Sequence, residues 1–263
     1  MNNPYLPRPI KIIDRWEESG IDHTFRVEND MNLIGGQFLQ LSIPGVGEAP
    51  ISISDFTDKY LDMTIRKVGK LTDGIFDLQA GDKIFVRGPY GNGFNLDQYK
   101  GKNLVIVAGG TGLAPVKNVV NYFYNNMDLV KSFTLIVGFK TPNDILFRDE
   151  IKKWSEKINV VLTVDSADES WTGETGLVTK HIAVCDMKDL DNTEVIVVGP
   201  PIMMKFATIE FVKRGLAEEK IWVSFERKMS CGIGKCGHCK IDETYVCLEG
   251  PVFNYVKAKE LID

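Results

Sequence analysis

Apolar and polar residues alternate through the first 98 or so positions. In Gly36–Ile43, Leu39, Leu41 and Ile43 fall on one face of an extended segment, and Leu61-Asp62-Met63-Thr64-Ile65-Arg66 alternates in the same way. A period of two marks strands with one buried face. Asp82–Arg87 is a further strand, closed by Gly88-Pro89. Short strands separated by Gly and Pro turns predict a small barrel or sandwich. The pattern changes near residue 100. Leu104–Ala108, Phe133–Val137, Val160–Val164 and Val195–Val198 are continuous apolar runs. Such runs fit parallel strands buried on both faces. Helical stretches are expected between them, at about 113–126, 147–157 and 201–215, and strand–helix alternation predicts a doubly wound α/β sheet. From 226 onward neither period holds. Three segments are therefore expected: 1–98, 99–225 and 226–263.

Composition narrows the function classes. Of 263 residues, 44% are apolar and 25% charged, as in globular proteins. The net charge of −5, with no Lys/Arg block, argues against nucleic acid or an anionic membrane surface as partner. No apolar run is long enough for a membrane span, and the N-terminal segment lacks a signal-like hydrophobic region. A cytoplasmic location is expected.

The last segment holds the most specific chemistry. Cys231-Gly-Ile-Gly-Lys-Cys236-Gly-His-Cys239 is followed, after seven residues, by Cys247. C-x4-C-x2-C with a fourth cysteine beyond is the plant-type spacing for a [2Fe–2S] cluster. A structural zinc site also takes four thiolates, but usually as two separated short pairs. Gly232, Gly234 and Gly237 permit a tight wrap with amides turned toward sulfur. A zinc-bearing docking module without redox activity is the competing reading. Cys185, in a mostly apolar stretch, is expected in the core, and His238 on the surface of the cysteine loop.

The first apolar run ends in Ala108-Gly109-Gly110-Thr111-Gly112-Leu113-Ala114-Pro115. A helix beginning near Ala114–Pro115 would offer free amides and the positive end of its dipole to a pyrophosphate. Val198-Gly199-Pro200-Pro201-Ile202-Met203 marks a second strand end, and ligands of open α/β sheets bind beyond such ends. In the N-terminal segment, Ala49–Ser54 is a strand with small polar groups at alternate positions. Arg66-Lys67-Val68-Gly69-Lys70-Leu71-Thr72 groups cations, a glycine amide and a hydroxyl suited to a phosphate. Arg87–Phe94, dense in glycine, reads only as a loop.

Taken in order, these segments resemble the ferredoxin–NADP reductase superfamily. That resemblance implies an antiparallel flavin-binding barrel, then a nicotinamide-nucleotide domain. It assigns Pro50, Ile51 and Ser52 to the isoalloxazine strand, and Arg66, Val68, Gly69, Lys70 and Thr72 to the flavin phosphate. It assigns Gly109, Gly110, Thr111, Gly112 and Pro115 to the pyrophosphate loop, and Gly199, Pro200, Pro201 and Met203 to the nicotinamide side. The superfamily's arginine and aromatic residue before the flavin serine are Ala49 and Ile51 here; Arg66 or Lys70 is the expected substitute cation. Ser52 is the expected hydrogen-bond partner near flavin N5, and no catalytic acid–base residue is expected. The segment from Ser224 to Phe253, with Cys231, Cys236, Cys239 and Cys247 as iron ligands, resembles a subgroup bearing a C-terminal [2Fe–2S] loop. Within it, the electron-transfer subunit of anaerobic sulfite reductase is the nearest in pattern. The resemblance thus implies FAD, [2Fe–2S] and NAD(H) as cofactors, with NADH as donor. It also implies catalytic and iron–sulfur subunits of a hetero-oligomeric reductase as partners, with sulfite as terminal acceptor. The alternative is the equivalent subunit of a soluble hydrogenase or dihydroorotate dehydrogenase.

Overall fold

A computed structural model describes residues 3–261. The chain forms two units, each made of two stretches of sequence: 1–94 with 226–251, and 95–225 with 252–263. The cysteine segment therefore belongs to the first unit and the tail after it to the second, where the sequence pattern drew three consecutive segments.

The first unit is built on a seven-stranded antiparallel sheet. Its strands are β1 (Arg8–Ser19), β2 (Asp22–Glu28), β3 (Phe38–Ile43), β4 (Gly47–Ser52), β5 (Asp55–Phe56), β6 (Tyr60–Arg66) and β7 (Lys83–Tyr90), in the order β4-β3-β7-β1-β2-β6-β5. β1 serves both halves. Its start pairs with β7 through Arg8–Lys11 and the rest with β2, with register breaks at Ile12/Asp14 and Glu17/Ser19. Irregularities of this kind bend a strand and let a sheet curl. The curl brings β4 against β6 and gives a barrel-like core of Ile12, Phe25, Val27, Leu39, Leu41, Leu61, Met63 and Ile65, with Ile75 of helix α1 (Lys70–Phe76) at its end. The alternation seen in the sequence is real: Leu39 and Leu41 face this core. Two cross-strand ion pairs join β2 and β6, Arg26 with Asp62 and Arg66 with Asp22.

The second unit is a mixed α/β sheet. It contains β8 (Asn103–Gly109), α2 (Ala114–Asn125), β9 (Ser132–Phe139), α3 (Arg148–Trp154), β10 (Asn159–Val164), β11 (Glu174–Thr175), α4 (Val178–His181), β12 (Thr193–Val198), α5 (Pro201–Lys213) and β13 (Ile221–Ser224). The order is β11-β10-β9-β8-β12-β13-β16, parallel throughout except for β16 (Val252–Asn254) at one edge. All four apolar runs form strands, and the chain order reverses at β8, between β9 and β12. The cysteine segment of the first unit carries a small hairpin, β14 (Lys240–Ile241) with β15 (Thr244–Tyr245), and helix α6 (Val246–Glu249).

Glu194 on β12 is nearly enclosed, and burial raises its carboxyl pKa even though Lys220 stands 3.3 Å away. The native state therefore holds this proton to higher pH than the unfolded chain does. In the window above the ordinary glutamate value of 4.5 the native state binds more protons, and stability falls as pH rises through it. Thermal melts from about pH 4 to about pH 7 should show wild type losing stability relative to Glu194→Gln; parallel curves would contradict this.

Candidate functional site: a cysteine loop cradled by the barrel, and a glycine-lined crevice

The cysteine loop meets the chemical demand of a cluster through its backbone. Cys231 Sγ accepts from the amides of Ile233, Lys235 and Cys236 at 3.5, 3.3 and 3.4 Å. Cys247 Sγ accepts from Gly234 N at 3.2 Å, and Cys239 Sγ from Cys247 N at 3.4 Å. Amides aimed at sulfur offset thiolate charge and are a principal lever on cluster properties. The four sulfurs differ in environment. Cys231, Cys239 and Cys247 are buried and Cys236 is exposed. The amide of His238 draws the Cys236 thiol down to about 7, while burial, followed by the contact with Cys239, pushes Cys247 up to about 12. Donor set and amide pattern fit a two-iron cluster. His238 lies on the loop surface rather than in the core.

The loop is held by the end of β7, a segment whose own sequence reads as a plain glycine-rich turn. Arg87 reaches the carbonyls of Ser230 and Cys231. Gly232 lies against Tyr90: a Cβ there would stand 2.7 Å from the ring, and the φ of +74° is itself a glycine conformation. At the far limb, Asn92 donates its backbone amide to Gly250 O (2.7 Å) and its side-chain amide to Glu249 O (2.8 Å). These contacts join residues more than a hundred positions apart, so no local signal announces them.

The proposed flavin residues are placed as follows. Pro50, Ile51 and Ser52 lie on β4, half-buried. Ile51 packs against the barrel core. Ser52 is the register partner of Phe38, and Pro50 that of Gln40. Gln40 is wholly buried with neither amide atom hydrogen-bonded, and a buried amide calls for a partner. The phosphate segment differs from expectation in detail. Thr72 Oγ1 accepts from the amides of Val68 (2.9 Å) and Gly69 (3.1 Å), closing the first turn of α1. The hydroxyl and amides that the sequence offered to a phosphate thus bond to each other. Arg66 gives Nε and Nη2 to the fully buried carboxylate of Asp22, each at 2.9 Å. Lys70 is exposed.

In the second unit, Gly109–Leu113 turns off β8 directly into α2, with Pro115 in the first turn of that helix. A Cβ on Gly112 would lie 2.6 Å from Val198 O and 2.7 Å from Gly199 Cα, both backbone. Only glycine lets the ends of β8 and β12 approach this closely. Thr111 is half-buried beside it. Gly199 and Pro200 lead into α5, which begins at Pro201. Met203 bridges the two strand ends: its thioether fills the space that a Cβ on Gly109 would need, and its Cε would be 2.8 Å from one on Gly199. Met204 is core. Strand ends, glycine turn, helix N-terminus and Met203 lie together at the switch point of the sheet, the place where open α/β sheets generally bind their ligands.

Residues 106–208 match the model of the oxidoreductase NAD-binding domain, and residues 226–259 match the iron–sulfur cluster binding domain of dihydroorotate dehydrogenase B. The chain is 36% identical to the gamma subunit of sulfhydrogenase 2 from Pyrococcus furiosus, over 96% of each chain. It is 34% identical to a probable dihydroorotate dehydrogenase B (NAD(+)) electron transfer subunit of the same organism, over 97% of this chain and 92% of that one. Among solved structures, the NADH-dependent reduced ferredoxin–NADP oxidoreductase superposes with a TM-score of 0.76, at 24% identity, over 96% of this chain and 92% of that one.

Cys185 is buried, and burial pushes its thiol up to about 11. Oxygen-free preparations of Cys247→Ser should lose most of their iron and acid-labile sulfide, and Cys185→Ser should keep both. Equal retention in the two variants would remove Cys247 from the ligand set.

Proposed function

Because the chain belongs to the family of NAD-linked electron-transfer subunits that contains the sulfhydrogenase gamma and dihydroorotate dehydrogenase B electron-transfer subunits, we propose that it takes electrons from NADH and delivers them singly to a catalytic partner subunit, using FAD and a [2Fe–2S] cluster. The observation that carries this reading is the set of backbone amides directed at Cys231, Cys239 and Cys247, in the same unit as the strand Pro50–Ser52. A bound flavin accepts a hydride's two electrons and releases them one at a time, and a cluster carries one.

The protein's own part is positioning. The turn Gly109–Gly112 and the N-terminus of α2 hold the pyrophosphate of the nicotinamide nucleotide. Gly199, Pro200 and Met203 wall the nicotinamide side. Pro50 and Ser52 line the flavin ring, Ser52 as a hydrogen-bonding side chain. Val68–Thr72, with Lys70 exposed, remains the candidate for the flavin phosphate, its cation being Lys70 since the Arg66 fork binds Asp22. Hydride transfer between nicotinamide and flavin needs no side-chain acid or base, which agrees with a crevice made of glycine, proline and methionine. Cys231, Cys236, Cys239 and Cys247 hold the irons. Cys236, the exposed ligand, marks the side from which an electron leaves.

The relatives favour a hydrogenase or dihydroorotate dehydrogenase type of partner over the sulfite reductase that the sequence resemblance named. A hydrogenase-type catalytic subunit is the first choice, on the match to sulfhydrogenase gamma. No helix among the described residues is long and apolar enough to cross a membrane, in keeping with a cytoplasmic assembly. For the donor, the ends of β9 and β10 set Lys140 beside Ser166, whose amide bonds to Lys140 O, and both are exposed. The NADH assignment rests on the family resemblance.

Anaerobic protein should show flavin and cluster absorption that bleaches with NADH, at a rate at least about tenfold above that with NADPH, a difference of about 1.4 kcal/mol. A colourless, zinc-containing protein would end the reading. Equal rates with the two donors would overturn the NADH assignment alone.

A further inference from the structure

Arg87 has a feature that neither the family nor the mechanism accounts for: every one of its five N–H donors is matched to an acceptor. Nε donates to Glu48 Oε2 at 2.8 Å. Nη2 reaches Glu48 Oε1 and the Ser230 carbonyl. Nη1 reaches the Cys231 carbonyl at 2.5 Å and the Tyr90 hydroxyl at 3.3 Å. A guanidinium has five donors in a rigid fork and no other side chain can replace it donor for donor. The side chain is only 6% exposed, and that of Glu48 26%. Glu48 immediately precedes Ala49-Pro50-Ile51-Ser52 on β4, so a single residue ties the proposed flavin strand to the first cluster ligand.

Resting on the proposed [2Fe–2S] reading, we infer that Arg87 is a positioning residue that sets the reduction potential of the cluster. The side chain does two things, of which the first retains the loop and the second sets the potential. Holding the Ser230 and Cys231 carbonyls fixes the start of the loop, from which the amides of Ile233, Lys235 and Cys236 are directed at Cys231 Sγ. The guanidinium also places a fixed positive charge one residue's length from that sulfur, in a largely enclosed setting where charge is weakly screened. Reduction adds one negative charge to the cluster, so the cation favours the reduced form. Glu48, bound to the same guanidinium, offsets part of that field.

The two members of the pair therefore push the potential in opposite directions, which a purely structural tie would not do. EPR-monitored redox titration of the purified protein reads this directly. Arg87→Gln, which leaves Glu48 uncompensated, should shift the reduced/oxidised ratio at fixed potential about tenfold toward oxidised, a fall of about 59 mV for one electron. Glu48→Gln should shift it the other way. Arg87→Lys, keeping the charge and losing the fork, should stay near the wild-type potential but release iron faster to a chelator. Wild-type potentials in both Arg87→Gln and Glu48→Gln, or shifts of the same sign, overturn the inference. Should Arg87→Gln fail to fold, the other two variants decide: an upward shift in Glu48→Gln with none in Arg87→Lys supports it, and no shift in either overturns it. A wild-type protein without a reduced-cluster signal ends the parent reading, and this one with it.

Discussion

Negative charge, gathered on the four thiolates that the proposed cluster requires, is the constraint around which the C-terminal part of the first unit is read. A cluster bound to four cysteines carries net negative charge, and three of these cysteines are out of water. Charge in such a place is tolerable only where donors surround it. The loop supplies them from its own backbone, and can do so only because glycines at 232, 234 and 237 take positive φ. A backbone bent so sharply has little regular structure to hold it. The support comes from the barrel: Arg87 and Tyr90 at one limb, Asn92 at the other. The β7 end thus supports the cysteine loop directly.

The nucleotide crevice obeys a different constraint, closeness of approach. β8 and β12 end side by side, and the turn after β8 passes so near the backbone at 198–199 that no side chain fits at Gly112. It also brings Met203 across both strand ends. The chemistry assigned to this family asks for geometry more than for proton transfer, and the two regions meet that demand with backbone rather than with titrating side chains.

The sequence discloses those features whose signal is local. Period-two alternation locates β3 and β6, continuous apolar runs locate β8, β9, β10 and β12, and the cysteine spacing locates the loop. Gly109–Pro115 is legible because a strand end, a glycine turn and a helix start follow each other directly. What stays hidden depends on partners distant in sequence. Arg87 meets Cys231 across 144 positions, and Arg66 meets Asp22 across 44, so an arginine with the look of a phosphate ligand is one half of a cross-strand pair. Thr72 has the look of a phosphate-binding hydroxyl, although a Thr three residues after a turn glycine is also a helix-capping group, and its own backbone wins. The crossing of the tail into the second unit, where Val252–Asn254 adds an antiparallel edge strand, carries no compositional mark at all.

The account depends on one chain holding both a two-electron and a one-electron centre. Anaerobic reductive titration with a calibrated one-electron reductant counts these directly. Three electrons per chain, with flavin and cluster absorbance both exhausted at the endpoint, is the predicted result. An endpoint of two, with no paramagnetic cluster signal, or an endpoint of zero, would contradict it.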